Sequence, residues 1–124
     1  VFCVCSDEAR LIEARGEPLP APIVAKAMID TGASGTTITQ AAAEKLRLRA
    51  MGTEKMYMPS SAEPVYAAKY CVDIIFPGDV RISNIAAVEA SFDGRHIDCL
   101  IGRDVLKYGL LVYSGHLGQF TLSF

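Results

Sequence analysis

The 124-residue sequence lacks the features that define several classes of protein. It has two histidines and four cysteines but no Cys-x-x-Cys pair, so the usual ligand spacing of a structural zinc site is missing. No apolar run approaches the roughly 18 residues of a membrane-spanning helix, and no positive-then-apolar signal segment opens the chain. Lysine and arginine total 12 against 14 acids, without a basic cluster. We therefore expect no metal, no membrane and no nucleic acid partner.

Length and composition favour one domain over residues 1–124. A hydrophobic fraction of 51% is consistent with extra surface buried in an oligomer. Cys3 and Cys5 share one face of a predicted strand, while Cys71 and Cys99 lie in apolar runs, so we expect free thiols, a reducing compartment and a cytoplasmic location. Because the chain does not begin with Met, we expect a fragment or a processed product.

Apolar patterning predicts a β-rich chain with short helices. Strands are predicted at residues 1–5, 22–29, 36–38, 54–58, 64–76, 80–90, 97–101, 110–113 and 119–124, and helices at 6–15, 40–46 and 103–108. Ser6 and Thr39 are the expected N-caps. Residues 17–22 are proline-rich, so residues 6–21 form a predicted helix and linker insertion. Alternation in residues 64–76 predicts a half-buried strand with Lys69 and Asp73 on its outer face.

Residues with catalytic potential are most concentrated where an aliphatic stretch ends in Asp30-Thr31-Gly32-Ala33-Ser34-Gly35. An ionised carboxylate at the end of a core strand is costly to bury unless donors or a partner charge compensate. We expect Gly32 to bring backbone N–H groups close to Asp30, and Gly35 to let the chain turn where a side chain would clash. Six other acids have ordinary solvated interpretations in a helix, strands or turns: Asp7, Glu8, Glu13, Asp73, Asp79 and Asp93.

The segment from Ile29 to Ser34 resembles the active-site segment of aspartic proteases. Downstream, Cys99-Leu100-Ile101-Gly102-Arg103-Asp104-Val105-Leu106 resembles the segment that opens the C-terminal helix of the retroviral-type proteases, the retropepsins. The resemblance spans residues 22–124. It implies an all-β fold, a small closed acid-protease barrel with one short C-terminal helix and a hairpin flap. The N-terminal segment and the flap depart from the viral pattern, which favours a cellular or bacterial member.

The resemblance implies an aspartic endopeptidase that needs no metal or cofactor. Only one Asp-Thr-Gly is present, so two chains would meet as a homodimer, each donating Asp30 to one water. Thr31 would bond to its mate across the dimer, Gly32 would supply main-chain contacts, and the strand at residues 1–5 would help build the interface. Ala33 has no hydroxyl to donate to the carboxylate, so we expect activity at mildly acidic pH.

In the predicted hairpin at residues 54–76, residues 56–58 and the turn at 59–63 occupy the place of the flap. The expected substrate contacts are Met56, Tyr57, Met58, Pro59 and Ser60. A polypeptide would bind as an extended strand between flap and floor, in pockets lined by residues such as Ile29, Met58 and Leu100. The retroviral flaps have a glycine-rich tip, whereas this turn has Pro and Ser. An ordinary exposed hairpin is the alternative.

By resemblance, Leu100, Ile101, Gly102, Arg103 and Asp104 support the active-site loop. The family's Arg can brace that loop through an acid, but the corresponding position here is Ser34, so the brace is expected to run elsewhere. An exposed Arg of little consequence is the alternative.

Two other functions fit the same residues. The fold could serve as a non-catalytic dimerisation or peptide-binding module in which Asp30 is a structural acceptor. The chain could also be one lobe of a longer protein whose partner lobe lies elsewhere. The two histidines, His96 and His116, lie in predicted loops and are expected to face solvent.

Overall fold

The computed structural model describes residues 1–57 and 62–124, which form nine strands and three helices. In chain order these are β1 (Phe2–Val4), α1 (Ser6–Ala14), β2 (Ala27–Ile29), β3 (Thr37–Ile38), α2 (Gln40–Lys45), β4 (Gly52–Met56), β5 (Val65–Phe76), β6 (Val80–Glu89), β7 (Cys99–Ile101), α3 (Arg103–Leu106), β8 (Leu110–Ser114) and β9 (Gln119–Ser123). Every predicted strand and helix is found, although the strand expected from Pro22 is regular only from Ala27. No helix in the described part of the chain is long and apolar enough to cross a membrane.

Strands β1 to β7 form one curled sheet. Its hydrogen-bonded order is β1-β5-β6-β3-β7-β2, and β4 pairs with the first part of β5. The pairs β2–β7 and β3–β6 are parallel, and the other pairs are antiparallel. An isolated bridge between Phe2 and Ile23 joins β1, at one end of this order, to the segment before β2 at the other. The sheet thus curls into a barrel-like form, which confirms the predicted all-β acid-protease fold.

The inner face of the sheet packs against α2. Strand β5 shows the predicted alternation, with Tyr70, Val72 and Ile74 buried on this face. Helix α2 begins at the predicted cap, because Thr39 Oγ1 accepts a hydrogen bond from Ala42 N at 3.3 Å. The fully buried core side chains include Phe2, Ile38, Leu46, Val72, Ile74, Cys99, Ile101 and Val105.

Strand β1 makes its hydrogen bonds within the chain. It runs antiparallel to β5 on one edge, and Phe2 exchanges two hydrogen bonds of 2.9 Å with Ile23 on the other. Its expected contribution to a dimer interface stays a prediction.

Helix α1 covers the outer face of the sheet at β5 and β6. The helix and its acidic first turn are as predicted, and the chain leaves it through Gly16 at φ +72°. The predicted N-cap is wrong, because Cys5 occupies that position and makes no side-chain cap bond. Ser6 instead donates its hydroxyl to Asp73 Oδ2 at 2.8 Å.

Asp73 is fully buried, with 0% of its surface exposed, so its expected solvated position is wrong. The alternation of β5 does place it on the outer face, but α1 covers that face. Its Oδ2 accepts hydrogen bonds from Ser6 Oγ at 2.8 Å, Arg81 Nη1 at 3.1 Å and Ser83 Oγ at 3.2 Å, and its Oδ1 accepts one from Asn84 N at 2.9 Å. These donors come from α1 and β6, so the carboxylate joins the N-terminal helix to the sheet.

Strands β8 and β9 form an antiparallel hairpin separate from the curled sheet. The Phe124 ring packs against Phe76 with centroids 4.7 Å apart, which holds the end of the hairpin to β5. Large apolar side chains on this hairpin are exposed, namely Leu110, Val112, Tyr113, Leu117 and Phe120. The hairpin therefore presents an apolar surface.

Strands β4 and β5 form the predicted hairpin, in register from Gly52 opposite Lys69 to Met56 opposite Val65. Four of the five residues of β4 are exposed, so this arm extends away from the core. The turn expected at residues 59–63 lies largely outside the described residues.

Candidate active site

Asp30 lies directly after β2, where two parallel strands end together. Strand β2 pairs with β7 in the register Ile29 opposite Ile101, and Asp30 N donates to Ile101 O at 3.0 Å. The two sequence motifs, far apart in the chain, are therefore neighbours. We call residues 30–35 the Asp30 loop.

The Asp30 carboxylate is held by backbone donors of its own loop, as predicted for Gly32. Asp30 Oδ1 accepts hydrogen bonds from Gly32 N at 2.8 Å and from Ala33 N at 3.3 Å. A Cβ on Gly32 would lie 3.1 Å from the same oxygen, so a side chain there would press on the carboxylate. Within residues 1–57 and 62–124, nothing donates to Oδ2. One oxygen is thus oriented by the loop, and the other is available to a water or a substrate.

At Gly102 two backbone segments approach so closely that only glycine fits. A Cβ on Gly102 would lie 2.4 Å from Gly35 O, closer than such atoms pack. A Cβ on Gly35 would meet nothing within 4 Å, so the clash predicted at Gly35 is wrong. The backbones at Gly35 and Gly102 are in contact, and it is at Gly102 that a side chain would clash.

Arg103 braces the Asp30 loop through the main chain. Its Nη1 donates to the carbonyls of Thr31 and Gly32, both at 2.9 Å. The side chain is exposed, and these two contacts favour the brace over the alternative of an Arg of little consequence. The brace runs to backbone carbonyls, in agreement with the expectation that it would not use an acid at Ser34.

Two further backbone bonds join the loop to the start of α3. Arg103 N donates to Ala33 O at 3.0 Å, and Asp104 N donates to Ser34 O at 3.2 Å. Ser34 therefore contributes its carbonyl to this support.

Thr36 is a supporting residue that the sequence interpretation missed. It is fully buried, and its Oγ1 donates to Asp104 Oδ1 at 2.8 Å while accepting from Gly102 N at 3.2 Å. Its own N donates to Asp104 Oδ2 at 3.1 Å. Two signals in the sequence could have indicated the contact between Thr36 and Asp104. They are a hydroxyl residue directly after the Asp30 loop and an acid at the start of a helix, since both side chains can bond to buried backbone groups. Asp104 acts here by joining the two motifs.

Thr31 lies on the exposed side of the loop, next to the β8–β9 hairpin. A cavity of about 450 Å³ is lined by β2, by Thr31 and by three hairpin residues, Leu111, Tyr113 and Phe120. Ile29, expected to line a substrate pocket, lines this cavity, and Leu100 is largely buried in the sheet. The cross-dimer bond expected of Thr31 stays a prediction.

The predicted flap residues are only partly described. Met56 is half-buried at the end of β4, and Tyr57 is exposed beside Lys55, whose Nζ lies 5.4 Å from the centre of its ring. Met58, Pro59 and Ser60 lie outside the described residues. In the described ranges, no group of three or more His, Cys, Asp or Glu side chains could hold a metal ion. His96 and His116 are exposed.

Comparisons with known proteins agree with this geometry. A family described as aspartyl protease matches residues 21–105, which include the Asp30 loop and the Gly102 segment. Among solved structures, the chain is similar to a retropepsin-like aspartic protease from Rickettsia conorii, with 18% sequence identity and a TM-score of 0.53 over 78% of this chain and 71% of the other. At that identity the likeness shows the fold alone. None of the curated proteins matches the chain. Because the family match covers more than half of the sequence and both motifs, the chain belongs to the aspartyl protease family.

Proposed function

We propose that the protein is an aspartic endopeptidase that cleaves peptide bonds as a homodimer, with Asp30 of each subunit at one shared site. The observation that carries this proposal is the Asp30 carboxylate, which two backbone donors hold on one oxygen while the other is available. Family membership supports the same chemistry.

Hydrolysis would use the two carboxylates as an acid and a base. Two closely placed carboxyl groups share one proton, so one is ionised and the other protonated at the working pH. The ionised group takes a proton from the water between them while the water oxygen bonds to the substrate carbonyl carbon. The protonated group donates to the carbonyl oxygen. The carbon–nitrogen bond then breaks, and a proton passes to the leaving nitrogen. No metal or cofactor is needed.

The dimer is proposed because one chain supplies half of this site. The sequence contains a single Asp-Thr-Gly. Close to it, Thr31 lines a cavity with Tyr113 and Phe120, whose rings are largely exposed. Burying large aromatic side chains is a strong contribution to association. A second copy that packs its hairpin on this face would bring the two Asp30 loops together.

The substrate proposed is an extended polypeptide that lies under the β4–β5 hairpin. The exposed strand β4 and the half-buried Met56 are consistent with an arm that can close over a bound chain. Met56, Tyr57, Met58, Pro59 and Ser60 are the proposed contacts on its side.

Cleavage of a peptide pool from about pH 4 to 8 tests the chemistry, since such profiles report the apparent pKa values of an acid and a base. We expect a bell-shaped profile at mildly acidic pH that disappears in Asp30→Asn. Asp93→Asn, in an exposed loop, is the matched control and should retain activity. Binding of peptides without cleavage would indicate the non-catalytic module instead.

Mixing subunits tests the shared site. Wild-type protein is combined with Asp30→Asn at constant total concentration and allowed to exchange. If one site needs Asp30 from both subunits, activity follows the square of the wild-type fraction. A linear dependence, or cleavage by a species that sediments as a monomer, would overturn the dimer mechanism and leave the protease assignment standing.

A further inference from the structure

Two cysteines face each other at the junction between β1 and α1. In the register of β1 and β5, Phe2 lies opposite Ile74 and Cys3 opposite Asp73. The register ends at Val4 opposite Val72, and its continuation by one more residue on each strand would place Cys5 opposite Cys71. Cys5 has extended backbone angles, φ −63° and ψ 152°, and is the N-cap of α1.

Both thiols lie on the outer face of the sheet. Phe2, Val72 and Ile74 belong to the core, so the alternating residues Cys5 and Cys71 point to the other side, beneath α1. The two cysteines line the same open cavity, and Cys71 Sγ donates to Asn84 Oδ1 at 3.8 Å. Directly opposed residues in an antiparallel pair have Cα atoms about 4.5–5.5 Å apart, inside the range of about 4.4–6.8 Å that a disulfide allows.

We propose that Cys5 and Cys71 are a modification site, a pair that forms a reversible intramolecular disulfide by exchange with a small-molecule disulfide. Both thiols are free in this structure. The bond would tie the residue before α1 to the middle of β5.

The exchange begins at Cys71, because Cys5 is only 2% exposed whereas Cys71 is half-buried. Cys71 lines an open cavity of about 330 Å³ with Leu11 and Met51, through which a small reagent can approach. The Cys71 thiolate bonds to one sulfur of the reagent, and the other sulfur leaves as a thiol. Cys5 then attacks Cys71 and releases the second thiol. The protein loses two electrons and two protons, and the reagent gains them.

Cys71 reacts slowly at neutral pH. Burial raises its pKa to about 12, so little thiolate is present. The rate of exchange should therefore rise with pH. Which disulfide forms depends on the positions of the two cysteines, not on pH.

Peptide mapping of the reduced wild-type protein after incubation with oxidised glutathione tests the proposal. We expect one linked pair of peptides, containing Cys5 and Cys71, in the wild type and in Cys3→Ser. Cys3 lies on the same face of the sheet, so Cys3→Ser is the matched control for the loss of a nearby thiol. The linked peptides should be absent in Cys71→Ser, and dithiothreitol should remove them from the wild type.

The oxidised protein should also unfold at a higher temperature, because the bond closes a long loop in the unfolded chain. We expect Tm to rise by roughly 10 °C and to return on reduction. A stable glutathione adduct on Cys71, a link between Cys3 and Cys5, or a link between two chains in place of the Cys5–Cys71 bond would overturn the proposal.

Discussion

Asp73→Asn tests how strongly the buried carboxylate beneath α1 stabilises the fold. The carboxylate accepts four hydrogen bonds and is 0% exposed. Asparagine keeps the shape but turns one acceptor oxygen into an NH2 group that faces donors. Breaking a buried ion pair by removing one partner costs about 3–5 kcal/mol. The Arg81 side chain is 48% exposed, so we reduce the expected loss in unfolding free energy to about 2–4 kcal/mol.

The pKa of Asp73 predicts where this contribution disappears. Burial has the largest influence and raises the pKa, but the hydrogen bonds from Asn84, Ser6, Arg81 and Ser83 together outweigh it and hold the pKa below the ordinary value of 3.8. A carboxyl whose pKa is lower in the folded state stabilises the fold above its unfolded pKa, and loses this effect as pH falls through its folded pKa. The difference between wild type and Asp73→Asn should be full at neutral pH and should shrink below pH 3.8.

Urea unfolding followed by far-ultraviolet circular dichroism measures this difference at each pH. Asp79→Asn is the matched control, because Asp79 lies in an exposed turn at φ +60°, which asparagine tolerates. The control should change the unfolding free energy by less than about 0.5 kcal/mol. The reasoning about the buried acid would be wrong if Asp73→Asn changed the unfolding free energy as little as the control does at neutral pH. It would also be wrong if the loss of unfolding free energy in Asp73→Asn were the same in acid as at neutral pH.

Three substitutions, with Thr36→Ser as a conservative control, test the support of the Asp30 loop. Gly102→Ala places a Cβ 2.4 Å from Gly35 O, so we expect a loss of about 1–3 kcal/mol in thermal or urea unfolding; unchanged stability would contradict it. Thr36→Val removes the hydroxyl that donates to Asp104 and should cost about 1–3 kcal/mol, whereas Thr36→Ser should retain most of the stability. Arg103→Gln removes the brace from the loop carbonyls and should lower kcat for peptide cleavage about tenfold with little change in unfolding free energy, because the side chain is exposed. An unchanged kcat would show that the loop needs no brace.

The strands of this fold could be predicted from the sequence because their signals are local. Alternation over residues 64–76 predicts β5 and its inner face, and Thr39 predicts the start of α2. The same alternation predicts that Asp73 leaves the core face. It does not predict that the outer face is covered, because the covering helix α1 lies about 60 residues earlier in the chain and its docking is a tertiary contact.

The same limit applies to the candidate site. Asp30 and Gly32 interact within three residues, so their contact could be predicted from the motif. The clash assigned to Gly35 belongs to Gly102, and Thr36 is bound to Asp104. These contacts join segments that are brought together by the pairing of β7 with both β2 and β3.

The support of the Asp30 loop consists mainly of bonds to its backbone. Arg103 bonds to carbonyls by its side chain and its own N, and Asp104 N bonds to another. Carbonyls are present whatever the side chain, so position 34 can hold serine and position 33 alanine without loss of these bonds. The loop restricts the sequence at three positions. Gly32 and Gly102 leave little room for a side chain, and Thr36 must supply its hydroxyl. The loop can therefore keep the Asp30 carboxylate in one orientation without the acid that the retroviral brace uses.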